Sequence, residues 1–552
     1  MLADGVKRLL AGLMILVFSL PAASQDEPGR IPLSFSRAMD PSLSAAIGLT
    51  PPSEAVIQAE LDKSSVPYRF GLQIPLGISA TEAGQRDTLS NGMLVWRLQL
   101  NSKGAKGLIA YCDRFSVPPG SRLFVYNPAR TCLYGAFTSA SNNKFNSFAF
   151  PLIEGESLVL EYNAPLESGM PDLRISGVAY AYRAVPALNP EDGPSLSGIC
   201  EVNANCSEGD NWQKQKKGVV KIIVKDSLGR TMYCSGSMIN NTMNNGIPYL
   251  LTANHCGRYS RPQELSQWLF YFGYEMPGCP NTTAPQPFSM LGAERKAIGG
   301  TENTGSDFFL VKLFQRPPDS LRVYFNGWSR DETPSPSGTG IHHPSGDVKK
   351  ISTYTSPLVI ANWPGNPNPC HWRVHWAKTV HGHGVTEGGS SGSPLFNASG
   401  LIVGTLTGGD SNCDSSFLNS PDYYGMFSWD WDKNGSDSLH CLKYWLDPGN
   451  TGVMSLGGWT LGTADQVSNS SPRLYPNPAS EEAVFDYGNP TEPGVVSKIR
   501  LCSLLGDELS GRISRTERQN SWLIDLSGLP QGIYILNWTD PGGTHSRKLI
   551  KL

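Results

Sequence analysis

Ser391 lies in the run Thr386-Glu387-Gly388-Gly389-Ser390-Ser391-Gly392-Ser393-Pro394. Glycines at 389 and 392 give this stretch backbone angles that a Cβ forbids, so the chain can bend sharply and present a hydroxyl. The same bend aims the N–H groups of Gly389 and Ser391 at one spot, where a developing oxyanion can be held. A Gly/Ser run by itself is more often a flexible loop. Two further segments change that weighting. Leu251-Thr252-Ala253-Asn254-His255-Cys256 sets a histidine just after an apolar run, and Ser306-Asp307-Phe308-Phe309-Leu310-Val311 sets an aspartate at the head of another. A serine hydroxyl is a poor nucleophile at neutral pH until a base takes its proton. The base in turn needs a carboxylate to hold one tautomer. Singly, His255 reads as a satisfied core histidine and Asp307 as a strand cap. Together, and in order with the serine turn, they point to nucleophilic acyl transfer.

The elements that must position these groups read as β structure. With 552 residues the chain exceeds one core, since single cores stop growing near ~250–300 residues. Its 58 Gly, 42 Pro and 20 Tyr suit turn-rich sheets better than helical bundles. A net charge of −3 argues against a nucleic-acid or polyanion partner. Residues 1–24 read as an export signal: Lys7 and Arg8, the apolar run Leu9 to Leu20, then Ala22-Ala23-Ser24. That run is too short for a stable membrane span, and no later stretch is long and apolar enough. A Pro-rich leader and an alternating, turn-punctuated region fill 25–194. The runs 93–100 and 157–162 are expected strands of a small sandwich. Residues 195–458 have the size for two packed barrels, 459–471 form a linker, and 472–552 again alternate like strands. The expected fold class is therefore all-β, with no internal repeat and no low-complexity tract.

The three segments resemble the chymotrypsin-fold serine peptidases, and more closely the bacterial lysyl endopeptidases. Thr252-Ala253-Asn254-His255-Cys256 is similar to that family's Thr-Ala-x-His-Cys, and Gly389 to Pro394 to its nucleophile loop. Cys234-Ser235-Gly236-Ser237-Met238-Ile239 looks like the strand before the histidine. The resemblance covers about half the chain, Ser195 to Asp447. It implies a chymotrypsin-like double β-barrel with Ser391 as nucleophile, His255 as base then acid, Asp307 as its orienting carboxylate, and an oxyanion hole at Gly389 and Ser391. It implies no cofactor, and protein or peptide substrates cut after lysine, with arginine left open.

Eleven cysteines fit an oxidising destination. The absence of any Cys-x-x-Cys argues against zinc. The family framework implies the bridges Cys200–Cys413, Cys206–Cys279 and Cys234–Cys256. Cys112–Cys132 is expected within the N-terminal sandwich, and Cys370–Cys441 as an addition to the framework. Cys502, alone in the last region, is expected free. An aspartate nine positions after the matching cysteine lies at the base of the family's specificity pocket, which here is Asp422. Asp410 and Asp414 are rivals for that role. A buried carboxylate favours a basic side chain, because an unpaired buried charge is expensive.

Two positions depart from the family. Lysyl endopeptidases carry a histidine sixteen positions after the nucleophile, where this chain has Thr407, followed by Gly408. Arginine is therefore expected to be accepted. Ser390 replaces the aspartate that pairs with the new N-terminus in trypsin-like enzymes, so that ion pair is not available. Six of the nine histidines fall between His342 and His383, which raises a metal site. No His-Glu-x-x-His is present, and polar loop histidines are the preferred reading, with no metal.

Leu474-Tyr475-Pro476-Asn477-Pro478, Leu529-Pro530-Gln531-Gly532-Ile533-Tyr534 and the final Lys548-Leu549-Ile550-Lys551-Leu552 look like a type A sorting domain of the type IX secretion system. That resemblance implies the secretion machinery as a partner, with export through periplasm and outer membrane to release or the cell surface. An Ig-like accessory sandwich, sugar-binding for example, is the competing reading. The N-terminal sandwich is expected to be a prosegment. By the family's pattern the mature chain starts at Ser195, after Pro194, so processing would need Arg183, a site upstream of it, or another peptidase. The competing function is an inactive protease fold serving surface adhesion or binding.

Overall fold

The computed structural model describes residues 31–36, 46–62, 68–185, 196–460 and most of 473–552. The export signal, the expected start at Ser195, Pro476 and Pro478 lie outside the described residues. Residues 1–461 form one compact unit and 462–552 a second.

Among the described residues the first unit is built from three large sheets and a two-stranded one that pairs Tyr324–Phe325 with Trp459–Thr460. One has six strands, in the order 46–48, Met93–Asn101, Ser157–Pro165, 122–126 and 133–137, with 85–88 added on Met93–Asn101. The strands expected at 93–100 and 157–162 are both present, and they pair antiparallel from Asn101↔Ser157 to Met93↔Pro165. The second sheet runs from N-terminal strands into the central region without a break. Arg230–Met238 pairs with Val219–Lys225 on one side and with Tyr68–Ser79 on the other. Tyr68–Ser79 continues to Asp172–Ala181, which pairs with Gly107–Ser116. Val219–Lys225 is buried at every position, so its apolar residues read as a continuous run rather than an alternation.

The first barrel curls on through Tyr249–Ala253, Phe308–Leu313 and Ala293–Ile298. Its core includes Val220, Ile222, Leu250, Trp268, Phe270 and Phe309. The second barrel is the ten-stranded sheet, which includes Lys350–Tyr354, Gly338–His342, Pro394–Asn397, Ile402–Gly409, Asp422–Met426 and His371–Val374 in that order. Trp372, Leu395, Leu406 and Tyr424 fill its interior.

The second unit packs a four-stranded sheet and a three-stranded sheet over Ala483, Phe485, Leu501, Ile524, Leu536 and Leu549. The run Gly532–Asp540 alternates as expected and pairs with both Lys498–Ser503 and Gly543–Lys551. No described helix is long and apolar enough to cross a membrane.

Candidate active site

His255 follows the end of strand Tyr249–Ala253, in the short helix Asn254–Gly257. Asp307 directly precedes Phe308–Leu313. These strands pair antiparallel with Ala253 opposite Phe308, so their next residues outward, 254 and 307, meet. The Asn254 N–H donates to the Asp307 carbonyl at 2.6 Å, and the His255 N–H to Asp307 Oδ1 at 2.9 Å. Asp307 Oδ2 lies 2.6 Å from His255 Nδ1. A carboxylate only accepts, so Nδ1 carries the proton and Nε2 is the basic nitrogen. His255 Nε2 is buried and has no hydrogen-bond partner among the described residues. Asp307 takes a left-handed φ of 59°, a strained angle held by the surrounding contacts. Burial raises its carboxyl above the ordinary range, and the adjacent His255 opposes that rise.

Ser391 sits between Gly389, φ 99°, and Gly392, φ 81°. A Cβ on Gly392 would lie 2.1 Å from Thr252 Oγ1 and 2.6 Å from the Ala253 nitrogen. The serine turn therefore rests directly on the strand that leads to His255, at a distance only glycine allows. The Ser235 N–H donates to the Ser391 carbonyl at 2.8 Å and the Gly392 N–H to the Leu406 carbonyl at 2.8 Å.

The peptides preceding Gly389 and Ser391 are pinned by their carbonyls. The Ser345 N–H donates to Gly388 O at 2.6 Å, and the Ser393 N–H to Ser390 O at 3.0 Å. In a trans peptide the N–H points opposite its carbonyl, so both amides face away from these anchors. Among the described residues neither amide has a hydrogen-bond acceptor. Ser390, at the trypsin aspartate's position, instead bonds His342: its Oγ is 2.8 Å from Nδ1, while Nε2 meets Ser352 Oγ at 3.0 Å. Burial lowers His342 to about 3, with Lys350 adding to the effect, so this buried link is neutral near pH 7.

Asp422 is fully buried at the head of strand Asp422–Met426. Its Oδ2 accepts from Ser411 Oγ at 2.6 Å, Trp376 Nε1 at 2.6 Å and Thr386 Oγ1 at 2.7 Å. Burial raises its carboxyl, and these donors oppose the rise, Ser411 most. A Cβ on Gly409 would lie 2.1 Å from Asp422 Oδ1, so that glycine makes room for the carboxylate. The rivals Asp410 and Asp414 are exposed. Thr407 is buried, with Oγ1 3.1 Å from His371 Nε2. The ring of Trp363 lies over Gly408, 3.3 Å from where a Cβ would stand.

Sequence reading passed over Thr386, Trp376, Ser411, Ser235 and His371. Thr386 and Ser235 carried a signal as members of quoted runs, and His371 as one of the histidines between 342 and 383, but none of the three was given this role. The others are brought in by strand pairing. The histidines between 342 and 383 disperse to separate partners: His343 to Asp347 O, His375 to Asn419 O, His381 to Glu208, and His383 to Gly384 O.

The bridges Cys200–Cys413, Cys206–Cys279 and Cys234–Cys256 are formed. The last ties the His255 helix to strand Arg230–Met238. Two expected bridges are corrected. Cys112 and Cys132 are free buried thiols, one on a strand of the twelve-stranded sheet and the other just before strand Leu133–Phe137 of the six-stranded sheet. Cys370 and Cys441 are also free and buried, each with its own carbonyl acceptor, Gly305 O at 3.3 Å and Gly435 O at 3.1 Å. Cys502 is free and half-buried, as expected.

Two antiparallel barrels with His255 and Asp307 on the first and Ser391 and Asp422 on the second define an all-β protein of chymotrypsin-like fold. More narrowly, residues 195–425 match the family described as Lysyl endopeptidase, C-terminal domain, and residues 473–552 the Secretion system C-terminal sorting domain. The chain is thus similar to lysyl endopeptidases over its central region and to a type IX sorting domain over its last eighty residues, and the sorting-domain match implies secretion or export to the cell surface.

A lysyl endopeptidase of Pseudomonas aeruginosa is 28% identical over 289 residues, covering 50% of this chain. The match spans 60% of that relative's length. Among solved structures, the protease Anisep from Arthrobacter nicotinovorans is similar at 18% identity and a TM-score of 0.27, over 39% of this chain and 91% of its own. The active form of the Rv3671c protease from M. tuberculosis is similar at 13% identity and a TM-score of 0.27, over 44% and 89%.

Proposed function

We propose that this chain is an exported serine endopeptidase that cuts protein or peptide substrates after lysine, and measurably after arginine. The observation that carries the reading is the His255–Asp307 pair at 2.6 Å, with His255 Nε2 unpartnered beside the Ser391 turn. In this reading Nε2 removes the Ser391 proton as Oγ attacks the scissile carbonyl. The amides of Gly389 and Ser391 receive the oxyanion. His255 then protonates the leaving amine, and water, activated by the same nitrogen, hydrolyses the acyl-enzyme.

Asp422 supports the preference for a basic side chain. It is a buried carboxylate held by Thr386, Trp376 and Ser411, and the family resemblance assigns its position to the base of the specificity pocket, with Thr407 and Gly408 on the neighbouring strand Ile402–Gly409. A lysine ammonium would supply the counter-charge it lacks. Thr407 leaves a hydroxyl where the family has an imidazole, and this supports room for a guanidinium as well.

The test is fluorophosphonate labelling and peptide-library cleavage by the exported protein, with Ser391→Ala as control. The wild type should label and cut after basic residues. The variant should lose both, with hydrolysis down on the order of 10⁴-fold or more. An unlabelled wild type without hydrolysis would favour the non-catalytic adhesion reading.

A further inference from the structure

The twelve-stranded sheet makes the N-terminal region part of the first barrel. Strand Tyr68–Ser79 covers the edge of Arg230–Met238, with Tyr68 opposite Tyr233 and Leu72 opposite Arg230. The two regions also share one apolar cluster. Phe70, Leu108, Ile109, Tyr111 and Ile153 pack with Ile223, Tyr233, Leu269 and Tyr271. The Phe70 and Tyr233 rings stack with centroids 3.9 Å apart.

Buried polar groups complete each other across the same boundary. Lys225 Nζ donates to Gln267 Oε1 at 2.6 Å and lies 4.2 Å from the Tyr111 ring centroid. Gln267 Nε2 donates to the carbonyls of Cys112, at 2.8 Å, and Phe148, at 3.1 Å. Withdrawing the N-terminal region would bare a strand edge, aromatic core and buried donors at once, each of them costly. Arg183 is engaged too: its Nε donates to Arg69 O at 2.9 Å, and its guanidinium lies over the Tyr68 ring.

This boundary backs the serine turn. Tyr233, whose ring stacks on Phe70, lies against Gly346, where a Cβ would be 2.3 Å from the ring. Lys221 Nζ donates to Gly346 O at 3.1 Å. Next to it, Ser345 donates through N to Gly388 O and through Oγ to Glu387 Oε2 at 3.1 Å. The Tyr68 ring also stacks on Tyr233, with centroids 6.0 Å apart. A Cβ on Gly389 would lie within 3.1 Å of His343 O and the nitrogens of Ser345 and Gly346. The Gly388–Gly389 peptide, which carries one oxyanion donor in the proposed function, is thus seated on a loop that Phe70 and Tyr68 hold from behind.

We propose that the N-terminal region, residues 46–185, stays docked on the barrel as a non-covalent subunit after any cut between Val185 and Leu196, and that Phe70 and Tyr68 are positioning residues for the oxyanion turn. The docking half rests on packing alone, while the positioning half rests on the proposed peptidase reading.

A specific protease site placed between Val185 and Leu196 of the full chain separates the outcomes. After cutting, the two fragments should co-elute on size exclusion in native buffer and separate only in denaturant. Fragments that part in native buffer, with wild-type kcat kept by the one beginning near Leu196, would overturn both halves. For positioning, Phe70→Ala is compared with Phe70→Leu, each normalised by fluorophosphonate titration. Loss of an oxyanion donor costs 10²–10³ in kcat, so a donor displaced through packing should cost about ten-fold. Phe70→Ala should therefore lower kcat about ten-fold at unchanged KM, and Phe70→Leu should restore most of it. A normal kcat per titrated site, or a rise in KM alone, would refute positioning. If the uncut wild type neither labels nor hydrolyses, the peptidase reading has failed, and co-elution still decides docking.

Discussion

Ser235 holds both sides of the Ser391 turn: its N–H donates to the Ser391 carbonyl at 2.8 Å and its Oγ to the Gly389 carbonyl at 3.0 Å. The same Oγ accepts from the His343 N–H at 2.9 Å. One side chain therefore ties the serine turn to the loop that supports it. Ser235→Ala removes the Oγ contacts and keeps the backbone one. We expect kcat to fall about ten-fold with KM unchanged, because the affected peptides matter in the transition state. Steady-state kinetics would contradict this if KM rose and kcat held.

Asp307→Asn keeps the shape and removes the charge. An amide can donate to His255 Nδ1, which would move the ring proton to Nε2 and block it as a base. The expected loss in kcat is on the order of 10⁴-fold at neutral pH, as for tautomer-inverted triads. Thermal unfolding should shift little compared with that loss. Activity within ten-fold of wild type would remove Asp307 from the proposed mechanism.

Asp422 is raised by burial, so its charge disappears at a higher pH than that of an exposed aspartate. The ratio of kcat/KM for a lysyl substrate over a neutral analogue should therefore fall as pH drops through that raised value. Protonation removes the counter-charge for the ammonium. In Asp422→Asn the ratio should be low and flat with pH. A wild-type ratio independent of pH from 7 down to 4 would contradict the assignment, as would retained basic preference in Asp422→Ser.

The local parts of this site were legible because they rest on residue type in short runs. Gly389 and Gly392 mark a turn, and apolar runs beside His255 and Asp307 mark strands whose ends can meet. What surrounds them was not legible. Ser411 and Trp376 reach Asp422 only through the pairing of three strands, and alternation announces a strand without naming its partner. The junction of Tyr68–Ser79 with Arg230–Met238 was hidden for the same reason, as each stretch looked complete within its own region. The misread pairs Cys112–Cys132 and Cys370–Cys441 came from counting cysteines, and a count carries no distance.

Glu275 should govern the acid limb of stability. It lies 2.9 Å from Lys216 Nζ and 3.1 Å from Lys349 Nζ, both lysines being buried. Burial acts to raise its carboxyl, but the two ammonium groups, Lys349 first, bring it down from 4.5 to about 2. A carboxyl lowered in the folded state stabilises the fold above its unfolded value near 4.5 and loses that contribution as pH falls toward 2. The Lys349 N–H donates to Tyr274 O, so the cluster also joins the 274–276 loop to the second barrel. Glu275→Gln leaves two buried ammonium groups without their counter-charge, at a cost on the order of 3 kcal/mol at neutral pH. Urea midpoints measured from pH 7 to pH 2.5 should start lower in the variant and fall less steeply below pH 4.5. Curves that run parallel through that window would show that Glu275 is not the group being protonated.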